Sequence, residues 1–374
     1  MPRSPAQPYA RRRITALLVV ILVLALVALA AILLTGGNDH ATDASGGHPS
    51  NGSRSDASKG TPSKSHSSAK SHPAGPSLAG IPVGRWTTLA PSPHSRGEVS
   101  AALVANDIYV VGGFDPTGHT TRLVERLDLR TGRWSTSSPL PEPLNHMSAV
   151  GYAGRLYVVG GYSQPSDTSA GAVRNFWRFD PGTGRWSAMP AAPLPRAAAG
   201  AAVLGHRLYV AGGRSDTQTT ISALAIFDFD TGRWSFGPSL HHAREHVAGV
   251  AAAGAVWILG GRALGAGNFA DVERYRPGSA GWERLASMPV ARSGFQAVSV
   301  GDKIVVVGGE GPGGTIGEVD ELDPATGRWT RLADLPVARH GLGLVADGPL
   351  VFAIEGGPQP GLTTSSVVER LRVR

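Results

Sequence analysis

The chain is 374 residues long, with 50 glycines, few aromatic residues, no cysteine and a formal net charge of +7. The missing thiols exclude disulfide scaffolds, thiolate zinc sites and cysteine nucleophiles. The charge does not mark a nucleic-acid binder: residues 1–80 carry eight Lys/Arg against three acids, whereas residues 81–374 carry 27 against 25. A DNA or RNA reader would concentrate its cations on the folded part, so no nucleic-acid partner is expected.

Residues 1–13 form a basic stub ending in Arg11, Arg12 and Arg13. Residues 14–34 are then apolar or small apart from Thr15. A helix of that length covers about 30 Å, the thickness of a hydrocarbon core. The arginines place the stub in the cytoplasm and everything after Leu34 outside. The expectation is a single-pass anchor in the cell membrane. The alternative is a signal peptide cleaved after Ala28-Leu29-Ala30, giving a secreted protein; the apolar run continues past that site, which favours the anchor. Both readings export the remainder.

Residues 35–80 are rich in Ser, Gly, His, Pro and Lys. Too little apolar surface is available there to offset the entropy of ordering, so a disordered linker is expected. Its histidines (His40, His48, His66 and His72) are irregularly spaced and suggest no metal site.

Residues 81–374 repeat. A β-branched strand ending in two glycines recurs at Gly112-Gly113, Gly160-Gly161, Gly212-Gly213, Gly260-Gly261, Gly308-Gly309 and Gly356-Gly357. Downstream comes a turn and a tryptophan, as in Leu127-Asp128-Leu129-Arg130-Thr131-Gly132-Arg133-Trp134. The same signature returns at Trp186, Trp234 and Trp329, and in degraded form at Trp282. Thr-Gly suits a hairpin whose glycine takes positive φ. The tryptophan is expected to open the next strand and pack between sheets. An arginine precedes each innermost strand (Arg96, Arg196, Arg244, Arg292, Arg339), with Leu144 in its place in the second repeat.

This combination of double glycine, turn with aspartate, and tryptophan at a period near 50 resembles the kelch family. The resemblance implies an all-β, six-bladed propeller of four-stranded blades. Gly84-Arg85-Trp86 carries only the back half of the signature, and one strand follows Gly356-Gly357. The first strand is therefore expected to complete the last blade, pairing Trp86 with the segment near Val368 and closing a monomeric ring.

Kelch propellers include radical copper oxidases, but their cofactor needs a cysteine that this chain lacks. Six-bladed kelch proteins also resemble bacterial sialic acid mutarotases, which need only acid–base residues at the channel mouth. By repeat alignment two positions face that mouth. The residue after each glycine pair gives Phe114, Tyr162, Arg214, Arg262 and Glu310, with Pro358 in the last blade. The two residues after each arginine position supply Glu98, Asn145, His146, Glu245, His246 and His340. Arg214 and Arg262 are expected to clamp an anion, and Phe114 and Tyr162 to stack on a sugar or a peptide side chain.

The run from His241 to His246 lacks the helical spacing of a zinc motif, so no metal is expected. Gly309 to Gly314 lacks the Lys-Ser/Thr of a phosphate loop, and there is neither a Gly-x-Ser-x-Gly elbow nor a dinucleotide fingerprint. No cofactor is expected. The principal expectation is a membrane-tethered module that binds an envelope protein, peptide or glycan through the mouth loops. The alternative is a sialic-acid-mutarotase-like epimerase with Glu98, Glu245 or His246 as base.

Overall fold

The computed structural model describes Leu78, residues 80–164 and residues 171–374. The expected anchor at 14–34 and nearly all of the linker lie outside the described residues. Among the described residues no helix is long and apolar enough to cross a membrane.

Between residues 81 and 374 the described residues form six four-stranded antiparallel sheets arranged as a propeller. The first blade shows the plan: Ser100–Val104 innermost, then Asp107–Val111, Val124–Asp128 and Arg133–Thr136 at the rim. Each strand owes its character to its radius. Innermost strands such as Gly200–Leu204 and Ala248–Ala252 are built of small residues, because the blades converge on the axis. The second strands are wedged between neighbouring sheets. Lys303–Val307 is therefore buried at every residue but the first, and Leu350–Ile354 throughout. Rim strands are largely exposed apart from their tryptophan.

Successive blades are joined by six apolar wedges, each with one rim tryptophan against it or within it. Four indoles also donate to a carbonyl of the preceding blade: Trp86 to Ala333, Trp186 to Ser138, Trp234 to Pro190 and Trp282 to Pro238, at 2.7–3.0 Å. The ring closes as expected. Trp86–Thr88 pairs with Val368–Arg372 in the last blade, Trp86 opposite Leu371 and Thr88 opposite Glu369.

The arginines end four residues before their strands and fold beneath their own blades, fully buried. Arg96 donates to the Gly112 carbonyl at 2.9 Å and pairs with Glu125 at 2.8 Å. Arg244 pairs likewise with Glu273, Arg292 with Asp320 and Arg339 with Glu369. In the second blade Leu144 and Trp177 occupy the two positions, and in the third Ala225 stands where the acid would be. Arg196 thus has only carbonyls, those of Val210, Gly212 and Ala223. Burial lowers its pKa to about 10.

The glycine pairs mark where the next blade's backbone passes. A Cβ on Gly160 would lie 2.2 Å from the Arg196 carbonyl oxygen, and the Gly161 amide donates to that same oxygen at 2.9 Å. In the sixth blade the expected register is wrong by one residue. The amide that reaches the next blade is Gly356, bonding Arg96 O at 2.9 Å, and positive φ falls on Glu355 (57°) and Gly356 (90°). Glu355-Gly356 is the structural pair, and Gly357 rather than Pro358 takes the mouth position opposite His340. The sequence pattern misled because a glutamate occupies a glycine site and a glycine follows.

Candidate functional site

The residue two after each arginine position adopts a left-handed backbone: Glu98 (φ 52°), His146 (52°), Ala198 (54°), His246 (52°), Gly294 (63°) and Gly341 (56°). That conformation costs a side-chain-bearing residue about 1–3 kcal/mol and persists where the surroundings impose it. Here the cause is a belt of backbone hydrogen bonds around the axis. The amide of His146 donates to Glu98 O, Ala198 to His146 O, His246 to Ala198 O, Gly294 to His246 O and Gly341 to Gly294 O. Val99 N then donates to Gly341 O, which closes the circle at 3.1 Å. One residue per blade joins the belt, so side chains distant in sequence face one another.

The structure brings all eleven expected mouth residues into one connected network. Glu98 sits at its hub, with Oε2 3.1 Å from His146 Nε2 and Oε1 3.0 Å from His340 Nδ1. His340 donates from Nε2 to the Gln359 carbonyl at 2.9 Å and lies 4.0 Å from Glu310. Arg262 bonds Glu310, lies 3.3 Å from Glu245 and reaches His246 Nε2 at 3.3 Å. Arg214 approaches Glu245 at 3.7 Å. Behind His146, Asn145 accepts from Nδ1 at 2.6 Å.

Two expectations need correcting. The arginines do not stand open as an anion clamp: Glu245 bridges both, Glu310 takes Arg262, and Gln218 takes Arg214 at 3.1 Å. The aromatic rings do not present free faces. Phe114 and Tyr162 are buried and meet the His146 ring edge-on at 6.0 and 5.5 Å. They wall a histidine because the mouth is packed rather than open.

Burial and charge divide the titratable groups. Burial raises the Glu98 carboxyl, but His146, the His340 hydrogen bond and His246 outweigh it and hold the group well below the usual carboxylate range. Burial lowers His146 to about 4 against the pull of Glu98. His340 shows the reverse balance, with burial overcome by the hydrogen bond and charge of Glu98, and rises to about 9. Glu245 falls to about 2 as His246 and the two arginines overcome its desolvation. Burial beside Glu245 pushes the Tyr162 phenol up.

Beneath the belt the channel is narrow. The cavity bounded by Glu98, His146, Ala198, His246, Gly294 and Gly341 holds about 40 Å³, room for a few waters and not for a sugar. A cavity of about 360 Å³ lies away from this chemistry at the outer edge between the fifth and sixth blades, beside Gly84, Arg331 and Arg374.

Some participants were not visible in the repeat alignment. Thr120 and the carbonyl of Gln164 anchor Asn145, and Asn268 donates to the Glu310 carbonyl. They sit on the loops after the glycine pairs, which vary in length and carry no repeat signal.

A family model described as the KLHDC2/KLHL20/DRC7 Kelch-repeats domain matches residues 83–242, and the Kelch motif model matches residues 291–336. Among solved structures, one titled "Structure of YjhT" superposes with a TM-score of 0.65 at 17% identity, covering 75% of this chain and 95% of that one. That likeness is one of fold. Comparison with curated proteins gave no match. The family matches, the six-blade topology and the closing strand together identify the chain as a member of the kelch-repeat β-propeller family.

Proposed function

We propose that this chain is an extracytoplasmic, membrane-tethered binding module that engages a protein, peptide or glycan ligand across the mouth of its propeller. One observation carries the reading: all six blades deliver charged or imidazole side chains to a single network above a cavity of about 40 Å³, too small to take in the ligand. A ligand would rest on this end of the disc and exchange hydrogen bonds with Arg262, Arg214 and Glu310, the arginines being its more accessible groups. Charges already paired favour a neutral polar or zwitterionic ligand over a simple anion, because an anion must displace Glu245 from Arg262. The apolar run at residues 14–34, the preceding arginines and the polar linker support tethering outside the cytoplasm.

The test is binding by the full chain, in detergent, to arrayed envelope glycans and peptides. A ligand bound by the wild type and lost with Arg262→Met supports the reading. Equal retention by the two proteins rejects the mouth as the site.

A second reading is favoured by the placement of Glu98 between two imidazoles, at 3.1 and 3.0 Å. Three acid–base groups in contact suit proton transfer to and from a sugar hydroxyl, as in a mutarotase-like epimerase. Anomer exchange followed by NMR with the wild type and with Glu98→Gln decides it. Turnover lost in the variant supports catalysis, and no turnover of any sugar removes it.

A further inference from the structure

Three belt residues from different blades, Glu98, His146 and His246, offer ligand atoms that all lie within 4.8 Å of one another. We propose that they form a site for a divalent transition-metal ion of the Zn²⁺ class, with Glu98 Oε2, His146 Nε2 and one ring nitrogen of His246 as ligands. This goes beyond ligand capture at the mouth and does not depend on it.

A hydrogen-bond relay fixes where the protons are. Thr120 Oγ1 donates its single proton to the Gln164 carbonyl at 2.7 Å. It must therefore accept from Asn145 Nδ2, 2.8 Å away. That sets the amide so that its Oδ1 faces His146 Nδ1 at 2.6 Å. An amide oxygen cannot donate, so Nδ1 carries the proton of the neutral ring. Nε2 is left with its lone pair, and it points at Glu98 Oε2, another acceptor, 3.1 Å distant. Two acceptors held that close in a largely buried place require a cation between or beside them.

Several features favour a metal ion in that role. Carboxylate oxygen and imidazole nitrogen bound to one zinc at about 2.0–2.1 Å stand roughly 3 Å apart, as these two do. The outer contacts also match a metal centre, in which ligands are steered by hydrogen bonds on their far sides. Asn145 holds His146, and His340 holds the second oxygen of Glu98. Space is present because the neighbouring belt positions are Ala198, Gly294 and Gly341, around a cavity of about 40 Å³. Arg262, 3.3 Å from His246 Nε2, does not impose its full charge there, being engaged by Glu245 and Glu310. Three protein ligands would leave a coordination position open to water, the pattern of reactive rather than structural zinc sites. Spacing along the chain hides this set, since each ligand comes from a separate repeat.

The test uses the full chain, stripped with EDTA and titrated with Zn²⁺ by calorimetry and with Co²⁺ by visible absorption. Expected are one tight equivalent in the wild type, ligand-field bands on Co²⁺ addition, and a melting temperature raised by excess Zn²⁺. His146→Gln and Glu98→Gln should each lose that equivalent. Asn145→Ala should keep it with affinity weakened about 10–100-fold. Metal taken up by the linker histidines would be unaffected by any of these changes. If wild type and both ligand variants bind the same number of equivalents, the proposal is overturned and a proton bridges Glu98 and His146. Should His146→Gln not fold, Glu98→Gln together with the wild-type melting shift decides, and no shift in the wild type overturns it equally.

Discussion

Arg96 and Glu355 join the first blade to the last: Nη2 donates to Oε1 at 3.1 Å and Nε stands 3.1 Å from Oε2, both side chains fully buried. Glu355 holds a left-handed backbone at φ 57°, where the other blades place glycine. Burial pushes its carboxyl up to about 8 despite Arg96, with Glu125 on the same guanidinium adding to the rise. His94 completes this group, 2.8 Å from Glu125.

A pH dependence follows from that shift. The folded chain retains a proton on Glu355 that the unfolded chain releases near the ordinary value of 4.5. Between that value and about 8 the native state binds more protons, so this group's contribution is complete below the window and is lost as pH rises through it. Glu355→Gln should flatten the fall in chemical-denaturation stability between pH 5 and pH 8. An unchanged slope would mean that Glu355 is ionised throughout.

Arg196 and Arg244 should respond oppositely to loss of charge. Arg196 is buried with Nε and Nη2 lacking hydrogen-bond partners among the described residues, whereas Arg244 neutralises Glu273. Arg196→Met is expected to raise unfolding free energy by about 1–3 kcal/mol, and Arg244→Met to lower it by about 3–5 kcal/mol by stranding a carboxylate. Urea melts of the two variants test the contrast. Equal destabilisation would refute it.

Gly341 makes room for the hub of the mouth. A Cβ there would meet the Glu98 carboxyl carbon and the Glu98 amide nitrogen at 2.6 and 2.8 Å, at a φ of 56° that alanine resists. Gly341→Ala should displace Glu98 from His340 and cost about 1–3 kcal/mol. The check is the His340 imidazole NMR titration. Its elevated midpoint should drop toward the ordinary histidine value, and a midpoint that stays put would show that Glu98 has not moved.

Ring closure can be trapped covalently, because the chain has no cysteine of its own. Thr87 and Arg370 are register partners on the closing strands, with Cα atoms about 5.5 Å apart in such pairs, inside disulfide range. Thr87→Cys combined with Arg370→Cys should oxidise spontaneously and migrate faster on a non-reducing gel. A double variant that stays reduced would place the first strand elsewhere.

The repeat made most of the fold legible: strands, blade number and the pairing of Trp86 all follow from where Gly-Gly and Trp recur. The slip at Glu355-Gly356 was hidden because local composition cannot show which of three consecutive residues carries the inter-blade hydrogen bond. The mouth positions were legible too, since they keep a fixed offset from the buried arginine. Their condition was not. Whether Arg262 is free or held depends on Glu245 and Glu310 reaching it across the mouth, and whether Phe114 offers a face depends on His146 from the next blade. Contacts of that kind leave no trace in the spacing of one chain.

The location of binding bears most directly on the functional reading. Once a ligand is identified, hydrogen-exchange mass spectrometry of the full chain with and without it gives that location. New protection is expected at the belt segments around Glu98, His146, His246 and His340, with none at the outer edge. Protection confined to the outer cavity beside Arg331 and Arg374, with the belt unchanged, would contradict a binding site at the propeller mouth.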